Sequence, residues 1–313
     1  MVALGTTGLD VFPLSLGGNV FGWTSDQETS FRVLDEFLDG GGNFIDTADA
    51  YSQWAPGNVG GESETILGEW LTSRGVRDRI VLATKVSALS TAKGLSAGTI
   101  ERAVEDSLRR LQTDVIDLYW AHYDDADTPL EETVAAFDRL VRAGKVRALG
   151  ASNFTADRLE QALKIADSTG TARYLALQPH YNLVERGIED DLLPLAQRYG
   201  LATVPYYALA SGFLTGKYRA DGSAGSGGDS PRAGAARKYL DGRGRAVLPA
   251  LDEVAAETGA SVTAVSLAWL RTRPTVVAPI ASARVPEQVA DLLAGARLEL
   301  TPAQAQRLTD ASA

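Results

Sequence analysis

The sequence predicts an α/β protein whose strands close into an eight-stranded parallel (β/α)8 barrel. Three observations carry this. Short apolar runs alternate with amphipathic helix patterns along almost the whole chain. The apolar runs lack strict polar–apolar alternation, as expected of strands covered on both faces. The glycine signatures of an open nucleotide-binding sheet are also missing. Gly17, Gly18 and Gly22 do not have G-x-G-x-x-G spacing, and Gly212 to Gly216-Lys217 is one residue short of a phosphate loop, with Tyr218 where Ser or Thr belongs.

The strand candidates are "LSLGGNV" (14–20), "NFIDTA" (43–48), "IVLATKV" (80–86), "VIDLYWAH" (115–122), "VRALGAS" (146–152), "YLALQ" (174–178), "LATVPY" (201–206) and "TVVAPI" (275–280). Between them, the first helix pattern starts at Ser25 or Asp26 and stops at Gly40–Gly42, a polar cap followed by a glycine stop. "SAGTIERAVEDSLRRLQ" places Ile100, Val104, Leu108 and Leu111 at helical spacing. "PLEETVAAFDRLVRAGK" opens on Pro129 and acids and ends on Arg142, Gly144 and Lys145, the order that suits the helix dipole. Residues 219–245 break the pattern. They are rich in Gly, Ser and Arg and carry little to bury, so a mobile loop is expected. The charge of "SPRAGAARK" within it suits a basic lid over a ligand.

Composition narrows the function. The 313 residues suit one barrel domain over 1–313, since such barrels need about 250 residues plus insertions. No cysteine is present, which excludes disulfides, thiolate metal sites and thiol nucleophiles. The net charge of −10 disfavours phosphate backbones, so no nucleic-acid partner is expected. The opening "MVALGTTGLDVFPLSLGG" lacks a basic stretch followed by an apolar run, and no run approaches the ~18 apolar residues of a membrane span. The expected compartment is the cytoplasm, with no membrane partner.

In a barrel, the C-terminal ends of the strands meet at one mouth, and polar residues there read as catalytic. The second strand ends at Asp46, with Tyr51 just beyond in "DTADAYS"; the third ends at Lys85; the fourth ends at His122. Each alone has an ordinary reading as a turn cap, a packing ring, a solvated cation or a core imidazole. Four on successive strands point to chemistry. Free tyrosine has a pKa of about 10, and a nearby ammonium is expected to lower it. Asp46 can fix Lys85, His122 can orient a substrate carbonyl, and Tyr51 can hand a proton to the carbonyl oxygen. The set contains no hydride source, so a nicotinamide is required. With only two histidines, far apart in the chain, no metal site is expected, and a metal-dependent hydrolase on the same barrel is disfavoured. His180 is expected to be structural.

Asp46, Tyr51, Lys85 and His122, in that order and spacing, resemble the aldo-keto reductase superfamily over essentially the full chain. So do Gly150-Ala-Ser-Asn-Phe154, Leu177-Gln178 with Tyr181-Asn182, "YYALASGFLTGKY" (206–218) and "SARVPEQ" (282–288). The sequence is more similar to the bacterial branch that includes potassium-channel β subunits than to mammalian aldose reductases. The full expectation is a (β/α)8 barrel with an N-terminal β-hairpin and extra C-terminal helices.

The resemblance implies NADP(H) as cofactor. Ser152, Asn153 and Gln178 would hold the nicotinamide carboxamide, and Tyr206 would stack on its ring. Leu209, Ser211, Gly212 and Lys217 would line the pyrophosphate. Ser282, Arg284 and Gln288 would take the adenosine end, with Arg284 suited to a 2′-phosphate. Two departures stand out. Tyr207-Ala208 replaces the usual Ser-Pro, and Asp291-Leu292 replaces an expected Glu and Asn, removing one adenine hydrogen bond. Val20, Phe21, Trp23, Trp54, Tyr123 and Tyr207 are the candidate pocket walls, which suit flat or apolar carbonyl compounds. The expected function is NADPH-dependent reduction of aldehydes and ketones to alcohols. The alternative is a non-catalytic NADP(H)-binding regulatory subunit, against which the intact tetrad weighs.

Overall fold

A computed structural model describes residues 1–219 and 231–313. An antiparallel hairpin of β1 (Val2–Ala3) and β2 (Asp10–Val11) leads into eight parallel strands. These are β3 (Ser15–Gly17), β4 (Phe44–Asp46), β5 (Val81–Val86), β6 (Ile116–Ala121), β7 (Val146–Ser152), β8 (Tyr174–Gln178), β9 (Ala202–Thr203) and β10 (Ile280–Ala281), in the spatial order β10-β3-β4-β5-β6-β7-β8-β9. The seam between β9 and β10 is closed by the stretch ahead of β10. Val277 N donates to Thr203 O at 2.9 Å, and Ile280 N to Pro205 O at 2.8 Å. The eighth strand is therefore shorter than the 275–280 run suggests: Thr275 holds a left-handed φ of 65°, which interrupts extended backbone.

The helices form the outer layer. They are α1 (Gln27–Asp39), α2 (Glu62–Arg74), α3 (Ala97–Leu111), α4 (Leu130–Arg142), α5 (Ala156–Thr169), α6 (Leu192–Tyr199), α7 (Ala233–Arg237), α8 (Arg243–Thr258), α9 (Val262–Arg271), α10 (Val289–Arg297) and α11 (Pro302–Ala311). Asp26 caps α1 by accepting from Thr29 N, and Ser96 caps α3 from Thr99 N. Pro129 sits one residue outside α4, at the cap position. The run 219–245, read as one loop, is not uniform. Residues 233–237 and 243–245 are helical, because Ala233, Ala236, Gly244 and then Val247 find buried places. Residues 220–230 of that expected loop lie outside the described residues. The C-terminal helices differ in role: α10 packs between α9 and α1, and α11 lies on α8. No helix among the described residues is long and apolar enough to cross a membrane.

Two apolar layers hold this together. The larger lies between strands and helices. The smaller fills the barrel, with Leu4, Leu9 and Val11 of the hairpin region joining Phe44, Ala83, Leu118, Trp120, Ala148, Ala176 and Ala202. Most inward positions are small because one of them is tryptophan. A Cβ at Gly150 would meet the Trp120 ring at 2.2 Å, so only glycine allows the indole its place. Replacing such a fully buried Trp by Ala costs about 3–5 kcal/mol.

Inward positions recur every second residue along a strand. From the apolar interior they run upward as Phe44 to Asp46, Ala83 to Lys85, Trp120 to His122, Ala148 and Gly150 to Ser152, and Ala176 to Gln178. The polar residues of the mouth are the last layer of the barrel filling.

Candidate active site

At the C-terminal mouth, Lys85 is fully buried and makes three polar contacts. Its Nζ forms an ion pair with Asp46 Oδ2, donates to Thr47 O at 2.7 Å, and donates to the Tyr51 hydroxyl at 2.9 Å. Tyr51 Oη lies 3.5 Å from the same Asp46 oxygen, and the ammonium sits 4.5 Å from the Tyr51 ring centre. The second Asp46 oxygen accepts from Gln178 Nε2 at 3.0 Å. Asp46, Lys85 and Tyr51 thus form one chain that ends at a phenol facing the cleft.

Electrostatics correct one expectation. The Lys85 charge was expected to draw the Tyr51 pKa down. Instead, burial, followed by the Asp46 carboxylate, holds the phenol well above its usual value. The physical reason is that Lys85 arrives already paired, so its field at the hydroxyl is offset while the desolvation is not. Burial likewise lowers the Lys85 pKa, against the pull of Asp46. His122 is held well below its ordinary value by burial and then by Lys85, so it is a neutral imidazole at neutral pH. Its ring stacks on Tyr123 at 4.9 Å and meets Tyr51 edge-on at 6.0 Å.

These residues open into a cleft of about 860 Å³. Tyr51 and His122 are part of its lining, with Asp46 and Lys85 buried beneath. All eleven residues proposed for the cofactor line it: Ser152, Asn153, Gln178, Tyr206, Leu209, Ser211, Gly212, Lys217, Ser282, Arg284 and Gln288. Several are held by hydrogen bonds. Asn153, at φ 56°, donates to His122 O at 2.8 Å and accepts from the Tyr206 hydroxyl at 2.8 Å. Ser152 Oγ donates to Gln178 O at 2.8 Å, and Ser282 Oγ to Asn19 Oδ1 at 2.7 Å. Gln288 turns its amide oxygen onto the Arg284 N–H at 2.8 Å. His180 packs nearly parallel to the Tyr206 ring at 5.3 Å. The wall at 207–212 carries left-handed backbone at Tyr207, Ala210, Ser211 and Gly212, strain of the kind that collects at ligand-binding loops.

Of the pocket candidates, Val20, Trp23, Trp54, Tyr123 and Tyr207 line the cleft; the last three are about half exposed, and Val20 and Trp23 are more enclosed. Phe21 does not. It is fully buried and packs against Gly18, and its carbonyl accepts from Ser52 Oγ at 2.7 Å. A tight turn, with Phe21 N bonded to Gly18 O and Gly22 at φ 75°, swings it inward while Val20 and Trp23 face the cleft. Sequence reasoning missed Asn19, Gln53, Thr263 and Arg232 as lining residues. Asn19 follows the first strand's Gly17-Gly18, so a polar residue beyond a strand end was the available signal. Arg232 belongs to the basic "SPRAGAARK" run already noted for its charge. With Lys217 and Arg284 it brings three cations to the cleft, and burial, Arg284 and Arg232 all lower the Lys217 pKa.

Comparison with known proteins places the chain in a family. The profile of the Aldo/keto reductase family matches residues 13–313. The chain is 37% identical to the uncharacterised oxidoreductase YrpG of Bacillus subtilis, over 98% of its own length and 94% of the relative's. It is 33% identical to an aryl-alcohol dehydrogenase [NADP(+)] of Phanerodontia chrysosporium, covering 97% and 83% of the two chains. It is 32% identical to the norsolorinic acid reductase stcV of Emericella nidulans, covering 97% and 79%. With the mouth residues in place and the match running through the last strand and helices, the chain belongs to the aldo/keto reductase family.

Proposed function

We propose that this protein is an NADP(H)-dependent reductase of aromatic aldehydes and ketones, working in the cytoplasm, with Tyr51 as proton donor. The observation that carries the reading is the Asp46–Lys85–Tyr51 chain, ending at a cleft that His122 shares. The aromatic walls and two relatives, an aryl-alcohol dehydrogenase and a norsolorinic acid reductase, support the substrate class.

The cleft fits a nicotinamide dinucleotide. Its volume is within the range of about 300–1,000 Å³ common for ligand sites. One wall carries the cations Lys217 and Arg284, and Gly17 leaves room where a Cβ would lie 2.7 Å from Ser282 Oγ. Ser152, Asn153 and Gln178 would hold the carboxamide and Tyr206 the ring. Leu209, Ser211, Gly212 and Lys217 would take the pyrophosphate, and Ser282, Arg284 and Gln288 the adenosine end, with Arg284 favouring a 2′-phosphate. A reduced nicotinamide bound there supplies the hydride that carbonyl reduction requires.

The chain's own residues do the rest. The substrate oxygen accepts from the Tyr51 hydroxyl and from His122, whose Nδ1 is enclosed, leaving Nε2–H as the donor toward the cleft. A neutral imidazole suits this, because it donates without adding a charge that would compete with Lys85. As negative charge grows on the oxygen, Tyr51 gives up its proton. Lys85, 2.9 Å away, stabilises the phenolate, and Asp46 holds Lys85 in place.

The test is Tyr51→Phe, assayed by NADPH oxidation against a panel of aldehydes, ketones and diones, with NADH in parallel. Turnover should fall at least about 10²-fold, the usual worth of a positioned acid, while NADPH still binds by fluorescence titration. Retention of most of the rate removes Tyr51 from the mechanism. A wild-type protein that binds NADPH but turns over none of the panel is the regulatory subunit instead.

A further inference from the structure

Tyr207 is held in a backbone conformation that its residue type disfavours. Its φ is 52°, in the left-handed region, where a bulky side chain is a genuine outlier. The frame around it imposes this. Its carbonyl accepts from Ala210 N at 2.8 Å and from Asn182 Nδ2 at 2.9 Å. Asn182 is buried and itself fixed, its amide oxygen accepting from Val184 N at 2.9 Å and Glu185 N at 3.1 Å. Tyr206 and His180 brace the Tyr207 ring edge-on, each at 5.3 Å. The ring nevertheless stays about half exposed at the cleft, as do Trp54 and Tyr123. Tyr207 and Tyr123 are both near enough to Tyr51 to disfavour a phenolate there, so the three phenols face one space. Outward from Tyr51, Trp54 follows at 6.1 Å between ring centres, and Trp23 lies 5.6 Å beyond Trp54. Arg232 lies over Trp23 and close enough to Tyr207 to act on it, which puts Tyr207 near the outer end of that wall.

We propose that Tyr207 determines specificity in this cleft: its ring covers the second ring of a fused two-ring aryl carbonyl, so that such compounds are preferred over single-ring ones. The inference rests on the reductase reading above. A carbonyl held by Tyr51 and His122 fixes where the first ring of the substrate lies. The wall from Tyr51 through Trp54 to Trp23 is longer than one benzene ring, and a second fused ring extends along it toward Tyr207. Aromatic faces and edges pair favourably there, and covering half-exposed rings removes apolar surface from water. Tyr206, the ring assigned to the nicotinamide, is tilted 62° from Tyr207, so the two neighbours serve different partners. Backbone strain persists where a frame over-determines it, and it collects at ligand clamps. The protein itself gives the strained Tyr207 ring only partial cover, and a flat substrate supplies the rest.

The experiment measures kcat/KM for 2-naphthaldehyde and benzaldehyde at saturating NADPH, in the wild type and in Tyr207→Gly and Tyr207→Phe. Glycine adopts the same left-handed backbone without strain, so it removes the ring and keeps the frame. Comparing the naphthyl-to-phenyl ratio between proteins cancels the intrinsic reactivity of the two carbonyls. The wild type should favour 2-naphthaldehyde by about tenfold or more, the scale of added apolar contact in a pocket. Tyr207→Gly should lose about fivefold or more of that ratio, mostly through the KM of the naphthyl compound, and Tyr207→Phe should keep it. NADPH affinity is followed separately by fluorescence titration. Wild type with no naphthyl preference overturns the inference. So does an unchanged ratio in Tyr207→Gly, which together with weaker NADPH binding assigns the ring to the cofactor. A Phe variant as impaired as the Gly variant also overturns it, because the hydroxyl then acts and not the ring. If neither aldehyde is reduced at all, the reductase reading fails, and binding of 2-naphthalenemethanol to the NADP+ complex decides the Tyr207 question alone. That binding should weaken about fivefold or more in Tyr207→Gly, and unchanged or undetectable binding overturns the inference.

Discussion

Asp46 and Asp49 are three residues apart, equally buried, and treated in opposite ways. Asp46 ends β4 at an inward position, and both its oxygens are engaged, one by Lys85 and the other by Gln178. Asp49 lies just beyond the strand, and neither oxygen has a hydrogen-bond partner among the described residues. Its neighbour Glu64, equally buried, takes Thr84 Oγ1 and Arg110 Nε, both at 2.6 Å. Burial, then the Glu64 charge, pushes the Asp49 carboxyl up to about 8. Burial alone therefore does not make a catalytic carboxylate. The inward register of the barrel brings Asp46 a cation and an amide, and the next turn brings Asp49 neither.

Lys85→Met is the strongest way to break the contrast, because it removes the Asp46 counter-ion and leaves Gln178 as the partner of the other oxygen. Turnover should fall by about 10³-fold or more, since the phenolate loses its donor and the carboxylate its counter-ion. Stability should fall by about 3–5 kcal/mol, the usual cost of stranding one partner of a buried pair. Denaturant unfolding at pH 7 reads the second number. Asp46→Asn in the same background should recover part of the stability and none of the activity. If Lys85→Met unfolds at the wild-type midpoint, Asp46 tolerates solitude as Asp49 does, and the contrast is only one of geometry.

Asp49→Asn sharpens the other side. In the folded protein Asp49 keeps its proton up to about pH 8, whereas a free aspartate loses it near 3.8. Between those values the folded state holds a proton that the unfolded chain has released. The contribution of Asp49 to stability is therefore full below about pH 4 and is lost progressively as pH rises toward 8. Asn cannot titrate, so the decline in Tm from pH 5 to pH 8 should be smaller in Asp49→Asn than in the wild type. A parallel decline in both proteins means that Asp49 titrates normally and has a partner after all.

The same contrast marks what the sequence made legible. Asp46, Lys85 and His122 were readable because each stands at or near the end of an apolar run, where barrel strands meet at one mouth, whereas Ser152 and the other cofactor candidates came from the family motifs alone. Asp49 carried no such mark, because a residue in a loop has no periodicity to betray burial. Helix α2 escaped the helix patterns for a related reason: its buried face carries Ser63 and Glu64, which a hydrophobicity pattern counts as outward. Phe21 shows the reverse error. An aromatic residue beside a strand end looks like a pocket wall, but one glycine turn at Gly22 decides which of Val20, Phe21 and Trp23 faces inward. The β9–β10 seam, closed by bridges at Val277 and Ile280, was seen as a full strand because its residues are apolar. Apolar composition records burial but not extension.

The smallest effect is expected at Tyr119, and it tests whether the unpartnered Asp49 cluster is dry. Tyr119 is fully buried in β6 on the helix-facing side, packed against Phe137 at 5.9 Å, and its hydroxyl has no hydrogen-bond partner among the described residues. Burial and the charges of Asp49 and Glu64 hold its phenol well above the ordinary value. Deleting an unsatisfied buried hydroxyl removes a desolvation cost and no bond, so Tyr119→Phe should change stability by less than about 1 kcal/mol, or raise it. Turnover should stay near wild type, because Tyr119 lies outside the cleft lining. A loss of about 2 kcal/mol or more would mean that the hydroxyl holds a partner, and an enclosed water joining it to Asp49 is the simplest one. In that case Asp49→Asn and Tyr119→Phe should be non-additive, whereas in a dry cluster their effects should sum.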